Sequence, residues 1–376
     1  MPTTRNMRGC SALLTILFLG LSALPLAIAG RTQQLFGQPS EESLPRNLIL
    51  MIGDGMGLSQ ISALLYDQTQ TVLEAFPVIG FQKTHSADNL VTDSAAAATA
   101  MATGLKTKNN AIGVDTTEHA AQSILELAKG QGFATGLVVT SSIVHATPAS
   151  FAAHQRARNL YEQIAVDMAQ QPTDLMIGGG KQYFDRRKCD ARHLIDEMEE
   201  RGTAVFDFFR HDLFRVKPDP RKPFVFFTAD NQPLPAFQGR DYLPVSARIA
   251  TEFLSQRSDK GFFLLIEGSQ IDWSCHANQA EPLLQELKDF ERTMREVLAF
   301  AEKDGNTLVI VTADHETGGL AVMPGSRLKR PSLAFTTNGH TASMVPVFAY
   351  GPGADRFRGV FDNTFLYAMM RQVLGL

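Results

Sequence analysis

The chain has 376 residues, 44% of them hydrophobic and 20% charged, with a net charge of −4 at neutral pH. These values are ordinary for a globular enzyme and, with no Lys/Arg-rich patch, they exclude nucleic-acid binding as the basis of function. On length alone, two or three domains are allowed.

At the N-terminus, Arg5 and Arg8 precede an apolar stretch from Ala12 to Ile28 that closes on Ala27-Ile28-Ala29. That is the pattern of a secretory signal over residues 1–29 with an A-x-A cleavage site, so the mature chain is expected to begin at Gly30 and to be periplasmic or secreted. An uncleaved anchor of similar length is the alternative, which Pro25 and the small-residue ending disfavour. Cys10 follows Arg8-Gly9 too early to read as a lipidation cysteine. Residues 30–45 are polar and read as a leader, and no later segment is long and apolar enough to span a bilayer. Export leaves Cys189 and Cys275, which can pair in an oxidising compartment or remain free thiols.

Apolar runs at 47–52, 134–140, 174–177, 224–227, 262–266, 307–312 and 345–350 read as strands. Helical patterns at 118–129, 160–171, 193–200, 246–257 and 283–303 fall between them. Strands that are apolar throughout and alternate with helices predict an α/β fold, a three-layer sandwich whose central, largely parallel sheet is flanked by helices. Pro-rich stretches at 217–223 and 232–235 read as surface loops or a small insertion. If the polar residues described next share one site, residues 46–376 form one domain.

Three of the strands end in groups that packing would not choose: Asp54 after the first, Glu267 after 262–266, and Asp314-His315 after 307–312. Open α/β sheets place their sites at such carboxyl ends, and carboxylates with imidazoles suit zinc and magnesium. A multinuclear metal site is the expectation.

Thr92-Asp93-Ser94 stands ahead of an alanine run. Thr92 or Asp93 is a good N-cap, and Ser94 then lies in the first helical turn, where free N–H groups favour an anion. A serine there can serve as a phosphorylatable nucleophile if a cation lowers its pKa. Alone, Asp93 and Ser94 are also simple caps of an alanine helix. His145 and Thr147 follow the strand 134–140, and Arg158 is expected on the next helix, where a guanidinium can clamp two phosphate oxygens. Singly, His145 reads as a satisfied polar residue and Arg158 as a solvated one.

Asp272 and His276 are four apart, so a helix projects both from one face and one metal can take both. A helix N-terminal acid plus an exposed histidine is the plainer reading, which Glu267 just upstream makes less attractive. Trp273, the only tryptophan, sits among them. His340, in Asn338-Gly339-His340-Thr341, gains meaning only as a further ligand for a site already postulated.

Taken in order, these residues resemble the alkaline phosphatase family. The resemblance runs through Gly53-Asp54-Gly55-Met56-Gly57, Val91-Thr92-Asp93-Ser94-Ala95-Ala96, Ala146-Thr147-Pro148 to Arg158, Glu267-Gly268 with Ile271-Asp272 and His276, Thr312-Ala313-Asp314-His315-Glu316-Thr317-Gly318-Gly319, and Gly339-His340-Thr341. It implies two Zn2+ and one Mg2+. One zinc is then held by Asp272, His276 and His340, and the other by Asp54, Asp314 and His315 beside the Ser94 oxygen. Magnesium falls to Asp54, Thr147 and Glu267, with Asp54 bridging.

Two positions depart from the best-known enterobacterial pattern: His145 replaces an aspartate and Trp273 a lysine, a combination similar to a subgroup from cold-adapted and marine bacteria. The departure puts in doubt the tightness of the magnesium site and a water-mediated phosphate contact. The implied activity is hydrolysis of phosphate monoesters through a phosphoserine at Ser94, with Arg158 as clamp and His145 and Trp273 near the substrate. Expected partners are phosphate monoesters and a second copy of the chain.

A diesterase on the same scaffold should lack a clamp like Arg158, and an inactive exported binding protein should have lost Ser94 or a ligand. A sulfatase should carry x-Pro-x-Arg after its nucleophile, where Ser94 is followed by four alanines.

Overall fold

The computed structural model describes residues 44–376 apart from Thr69 and Pro172, so the expected signal at 1–29 and almost all of the leader at 30–45 lie outside the described residues. The first apolar run forms β1 (Asn47–Gly53), buried at every position. Its pleat sends Leu48, Leu50 and Ile52 into one core layer and Ile49 and Met51 into the other. Full burial of such a side chain is worth about 1.5–3 kcal/mol, which is why strands of this kind take the middle of a sheet.

The other strands of the main sheet are β2 (Val78–Lys83), β3 (Ala134–Ser142), β4 (Leu175–Gly179), β5 (Ala204–Asp207), β6 (Phe224–Phe227), β7 (Phe262–Gly268) and β8 (Thr307–Thr312). After the short strands β9 (Glu316–Thr317), β10 (Leu320–Val322), β11 (Leu333–Phe335) and β12 (His340–Thr341), the main sheet is completed by β13 (Val345–Tyr350) and β14 (Gly359–Asp362). The ten strands run in the order β14-β2-β13-β8-β1-β7-β3-β4-β6-β5. Only β13 is antiparallel to its neighbours.

Helices cover both faces. Ser94–Thr103, Ile124–Gly130, Ala146–Ala152 and Thr364–Leu374 close the layer that contains Leu48 and Leu50. Tyr242–Arg257 and Ala280–Asp304 pack against each other and against β3, β7 and β8 on the opposite face. The expected three-layer α/β architecture is what forms.

The expected helix at 118–129 is corrected. Asp115 Oδ1 accepts from the backbone N of Thr117 and His119 at 2.8 and 3.0 Å, Glu118 sits at φ +67, and the helix starts only at Ile124. There Ser123 and Glu126 form a reciprocal cap. Arg158 is corrected as well, since it lies before the helix Tyr161–Gln170 rather than on it.

Cys189 is an exposed free thiol and Cys275 a buried one. Among the described residues, no helix is long and apolar enough to cross a membrane.

Candidate active site

The adjacent parallel strands β8, β1, β7 and β3 present their carboxyl ends side by side. Asp54 follows β1, Asp314 and His315 follow β8, Glu267 is the penultimate residue of β7, and His145 and Thr147 follow β3. Gly55 makes this convergence possible. It sits at φ +71, and a Cβ there would lie 2.7 Å from Thr317 Oγ1 and 3.1 Å from Asp272 Cα, so any other residue would push the Asp54 turn off its neighbours.

Asp272 and His276 share one face of the helix Gln270–His276, with His276 Nε2 3.3 Å from Asp272 Oδ2. His340 arrives on the β12–β9 ribbon, its Nε2 3.1 Å from His276 Nε2 and 3.6 Å from Asp272 Oδ1. Both histidines use Nδ1 on a backbone carbonyl, His276 on Asn338 O at 2.6 Å and His340 on Thr92 O at 2.8 Å. A carbonyl only accepts, so Nδ1 carries the proton in each ring. The two Nε2 atoms therefore face one another with room for one positive charge, either a proton or a shared cation.

His315 repeats the logic. Thr317 Oγ1 donates to Asp272 Oδ1 at 2.6 Å and so accepts from His315 Nδ1 at 3.1 Å. His315 Nε2 then points at Asp314 Oδ2 (3.1 Å), Asp54 Oδ1 (3.5 Å) and Ser94 Oγ (3.3 Å). One ligand atom from each of Asp54, Asp272 and His315 lies within 4.8 Å of the others, as do those of Asp272, His276 and His340. Asp272 is thus a corner of both groups, which the expected ligand division had given to one.

Several buried atoms here have no hydrogen-bond partner among the described residues: both carboxylate oxygens of Asp54, Asp314 Oδ2, Glu267 Oε1, Thr147 Oγ1 and His145 Nδ1. Burial, followed by the neighbouring Asp314, Asp272 and Glu267 carboxylates, pushes the Asp54 carboxyl well above its ordinary range. Burial likewise pushes Glu267 up to about 7. Buried carboxylate oxygens left without donors are costly unless cations neutralise them, so this donor set fits metal ions.

Ser94 opens the helix Ser94–Thr103, whose ten residues are all buried. Asp93 caps it, with Ala96 N donating to Asp93 Oδ1 at 3.0 Å, while Asp93 Oδ2 accepts from Arg158 Nη1 at 3.0 Å. Arg158 makes no second side-chain hydrogen bond among the described residues. The ring of Trp273 meets that of His145 edge-on at 5.8 Å. Burial, and after it the charge of Arg158, pushes His145 down to about 3, so its ring is neutral.

The candidate catalytic and metal-ligating residues named from the sequence thus lie together at this one end of the sheet. Thr317 and the Asp93–Arg158 pair were missed as positioning groups. Thr317 stands inside a quoted motif, but a threonine in a short strand carries no signal of its own.

A serine at a helix N-terminus, an arginine on its cap and two acid–histidine groups are the parts that metal-assisted phosphoryl transfer uses. The alkaline phosphatase family model matches residues 45–328 and 323–376. Alkaline phosphatase 3 of Bacillus subtilis is 35% identical, with 85% of this chain and 87% of that protein covered. The Escherichia coli alkaline phosphatase is 32% identical over 88% and 86%. The solved alkaline phosphatase of the Antarctic bacterium TAB5 superposes with a TM-score of 0.83 at 40% identity, covering 89% of this chain and 98% of that one. A variant of that enzyme with glutamate in place of a histidine holds Mg in its M3 site.

The chain belongs to the alkaline phosphatase family. It is a metal-binding phosphomonoesterase.

Proposed function

We propose that phosphate monoesters are hydrolysed in two steps through a phosphoserine at Ser94, in a site built for two zinc ions and one magnesium ion. The observation that carries this reading is the convergence of three imidazole Nε2 atoms with oxygens of Asp54 and Asp314 that accept no hydrogen bond, on the side of Ser94 Oγ. Asp272, His276 and His340 would hold one zinc, and Asp54, Asp314 and His315 the other. Asp54, Thr147 and Glu267 would hold magnesium, so that Asp54 would serve this site as well as the second zinc. Bound there, the cations would lower the pKa of the serine and stabilise charge on the departing oxygen.

The chain's own groups do the rest. The first-turn N–H groups of the Ser94 helix favour the anionic substrate, and the helix fixes the direction of attack. Arg158, held by one nitrogen on Asp93, keeps further N–H groups for two non-bridging oxygens. Such a clamp favours a monoester over a diester.

His145 and Trp273 are proposed to line the magnesium side, where the neutral imidazole contributes no negative charge and supports a loosely held third ion. Residues 46–376 are proposed as one catalytic domain, exported by the signal at 1–29 to the periplasm or beyond and acting as a homodimer. The test is to trap labelled phosphate on the mature chain, map its position, and measure zinc and magnesium per chain. Label on a residue other than Ser94 would sink the nucleophile assignment.

A further inference from the structure

Arg158 lies on an irregular segment between the helices Ala146–Ala152 and Tyr161–Gln170. Its place is therefore set by that segment's attachments. Ile112 and Gln155 exchange backbone hydrogen bonds at 2.8 and 2.9 Å, and Arg158 N donates to Asn110 O at 2.8 Å. The neighbouring Asn109 Oδ1 accepts from Asp93 N at 3.1 Å. One loop thus locates both the main chain of Arg158 and the cap of the Ser94 helix.

At the root of the segment stands His154. Its Nδ1 is 2.6 Å from Gly113 O and its Nε2 2.8 Å from Glu126 Oε1. Gly113 is at φ +57, and a Cβ there would lie 2.1 Å from Ala153 O, so the close approach depends on glycine. Both partners of the ring only accept. Glu126 already receives Ser123 N at 2.8 Å and Gln171 Nε2 at 2.6 Å, as a carboxylate does. The ring must then carry protons on both nitrogens to satisfy both contacts.

The charged groups facing it are Glu126, on the helix Ile124–Gly130, and Asp167, on Tyr161–Gln170. Asp167 Oδ2 accepts from His154 N at 3.0 Å and Gln155 Nε2 at 2.7 Å. The hydrogen bond to Glu126 raises His154 above its ordinary value, against the opposing effect of burial.

We propose that His154 is a positioning residue for phosphate recognition: its imidazolium ties the Arg158 segment to Glu126 and Gly113, and loss of one proton releases one tie and loosens the grip of Arg158 on phosphate. This rests on the reading of Arg158 as the clamp. The raised pKa sets the sign, since the tie is complete at lower pH and is lost as pH rises through the folded-state value. Alkaline conditions therefore ease departure of inorganic phosphate, which raises turnover wherever release is limiting.

The experiment measures the inhibition constant of inorganic phosphate from about pH 6 to pH 10, across the range in which a histidine with a raised pKa titrates. It uses the metal-loaded parent, His154→Gln, Arg158→Ala and the double variant, with thermal unfolding followed in parallel. His154→Gln should raise the constant about fivefold at the acid end, with the ratio to parent falling towards one as pH rises. In the Arg158→Ala background the same change should have no effect. A ratio that does not vary with pH, or an equal effect without Arg158, overturns the proposal. If Arg158→Ala alone leaves the constant unchanged, the clamp reading itself fails, and that result is distinct. Should His154→Gln not fold, Glu126→Gln should move the pH step of the parent to lower pH, and an unmoved step overturns the proposal equally.

Discussion

His276 and His340 point their Nε2 atoms at each other across 3.1 Å while each gives its Nδ1 proton to a main-chain carbonyl, of Asn338 and Thr92 respectively. The two rings are thereby fixed by backbone, and what they share is a demand for one positive charge between them. The hydrogen bond to Asp272 lifts His276 to about 9, so in the metal-free protein a proton meets that demand. A metal at this place must displace the proton, and its affinity rises with pH up to that value.

His340→Ala should remove about one zinc per chain and reduce turnover with it, because a zinc left with two protein ligands is poorly held. Metal analysis after gel filtration reads this directly. Unchanged zinc content together with normal turnover would exclude His340 as a ligand.

Ser94→Ala should abolish phosphoenzyme formation and lower turnover by more than about a thousandfold. Only one oxygen leaves a helix that Asp93 still caps, so thermal unfolding should stay close to that of the parent. Acid-quench trapping of labelled phosphate is the measurement, and persisting label would contradict the assignment.

Arg158→Ala should lower kcat/KM for a phosphate monoester by about one to two orders of magnitude, from roughly 1.5–3 kcal/mol of charge-assisted hydrogen bonding. A diester, with one oxygen esterified, should lose much less. Comparing the two substrates on the same preparation checks this, and equal losses would remove the clamp role.

Thr317→Val tests a group the sequence did not point to. The hydroxyl donates to Asp272 and accepts from His315, so it orients one ligand from each of the two proposed zinc groups. Its loss should weaken zinc binding by about 10–100-fold while leaving every direct ligand in place. Competition with a chelator measures the change.

His145→Asp should improve magnesium retention by about tenfold, because a carboxylate replaces a neutral ring two residues before Thr147, one of the proposed magnesium ligands. Trp273 meets His145 edge-on, so Trp273→Lys in the same background should further tighten inorganic phosphate. Magnesium per chain after dialysis and the phosphate inhibition constant are the readouts. If neither moves, the pair is only packing.

The middle of the fold was legible because β1, β7 and β8 each carry an unbroken run of at least four apolar residues, and β3 a shorter one, and so were the polar residues that follow these runs. The edges were not. In β2 buried and exposed residues alternate around Gly80, while β5 and β14 have four residues each, too few for a period to emerge. The 118–129 helix was overextended because Glu118 and His119 fit helical spacing, whereas the turn at Asp115 depends on side-chain hydrogen bonds that spacing does not register. At the site, ligands showed themselves as carboxylates and imidazoles after apolar runs. Thr317, Asp93 and His154 act on Asp272, Arg158 and Glu126, which are 45, 65 and 28 residues away, and a single sequence does not reveal such pairs.

The central place of β1 has a consequence for how the chain comes to be folded. Asn47 bonds to Phe262 and to Thr307, 215 and 260 residues further on. The first of the described strands to emerge in synthesis cannot find either neighbour until most of the polypeptide exists. Closing loops of that length makes the centre of the sheet a late event, and the nascent chain has no early native nucleus there. Asp54 and Ser94 are made long before His315 and His340, so a competent hydrolase cannot form on a partly made polypeptide. The centre of the sheet, where β8 lies beside β1, thus stays open until the last third of the chain has been synthesised.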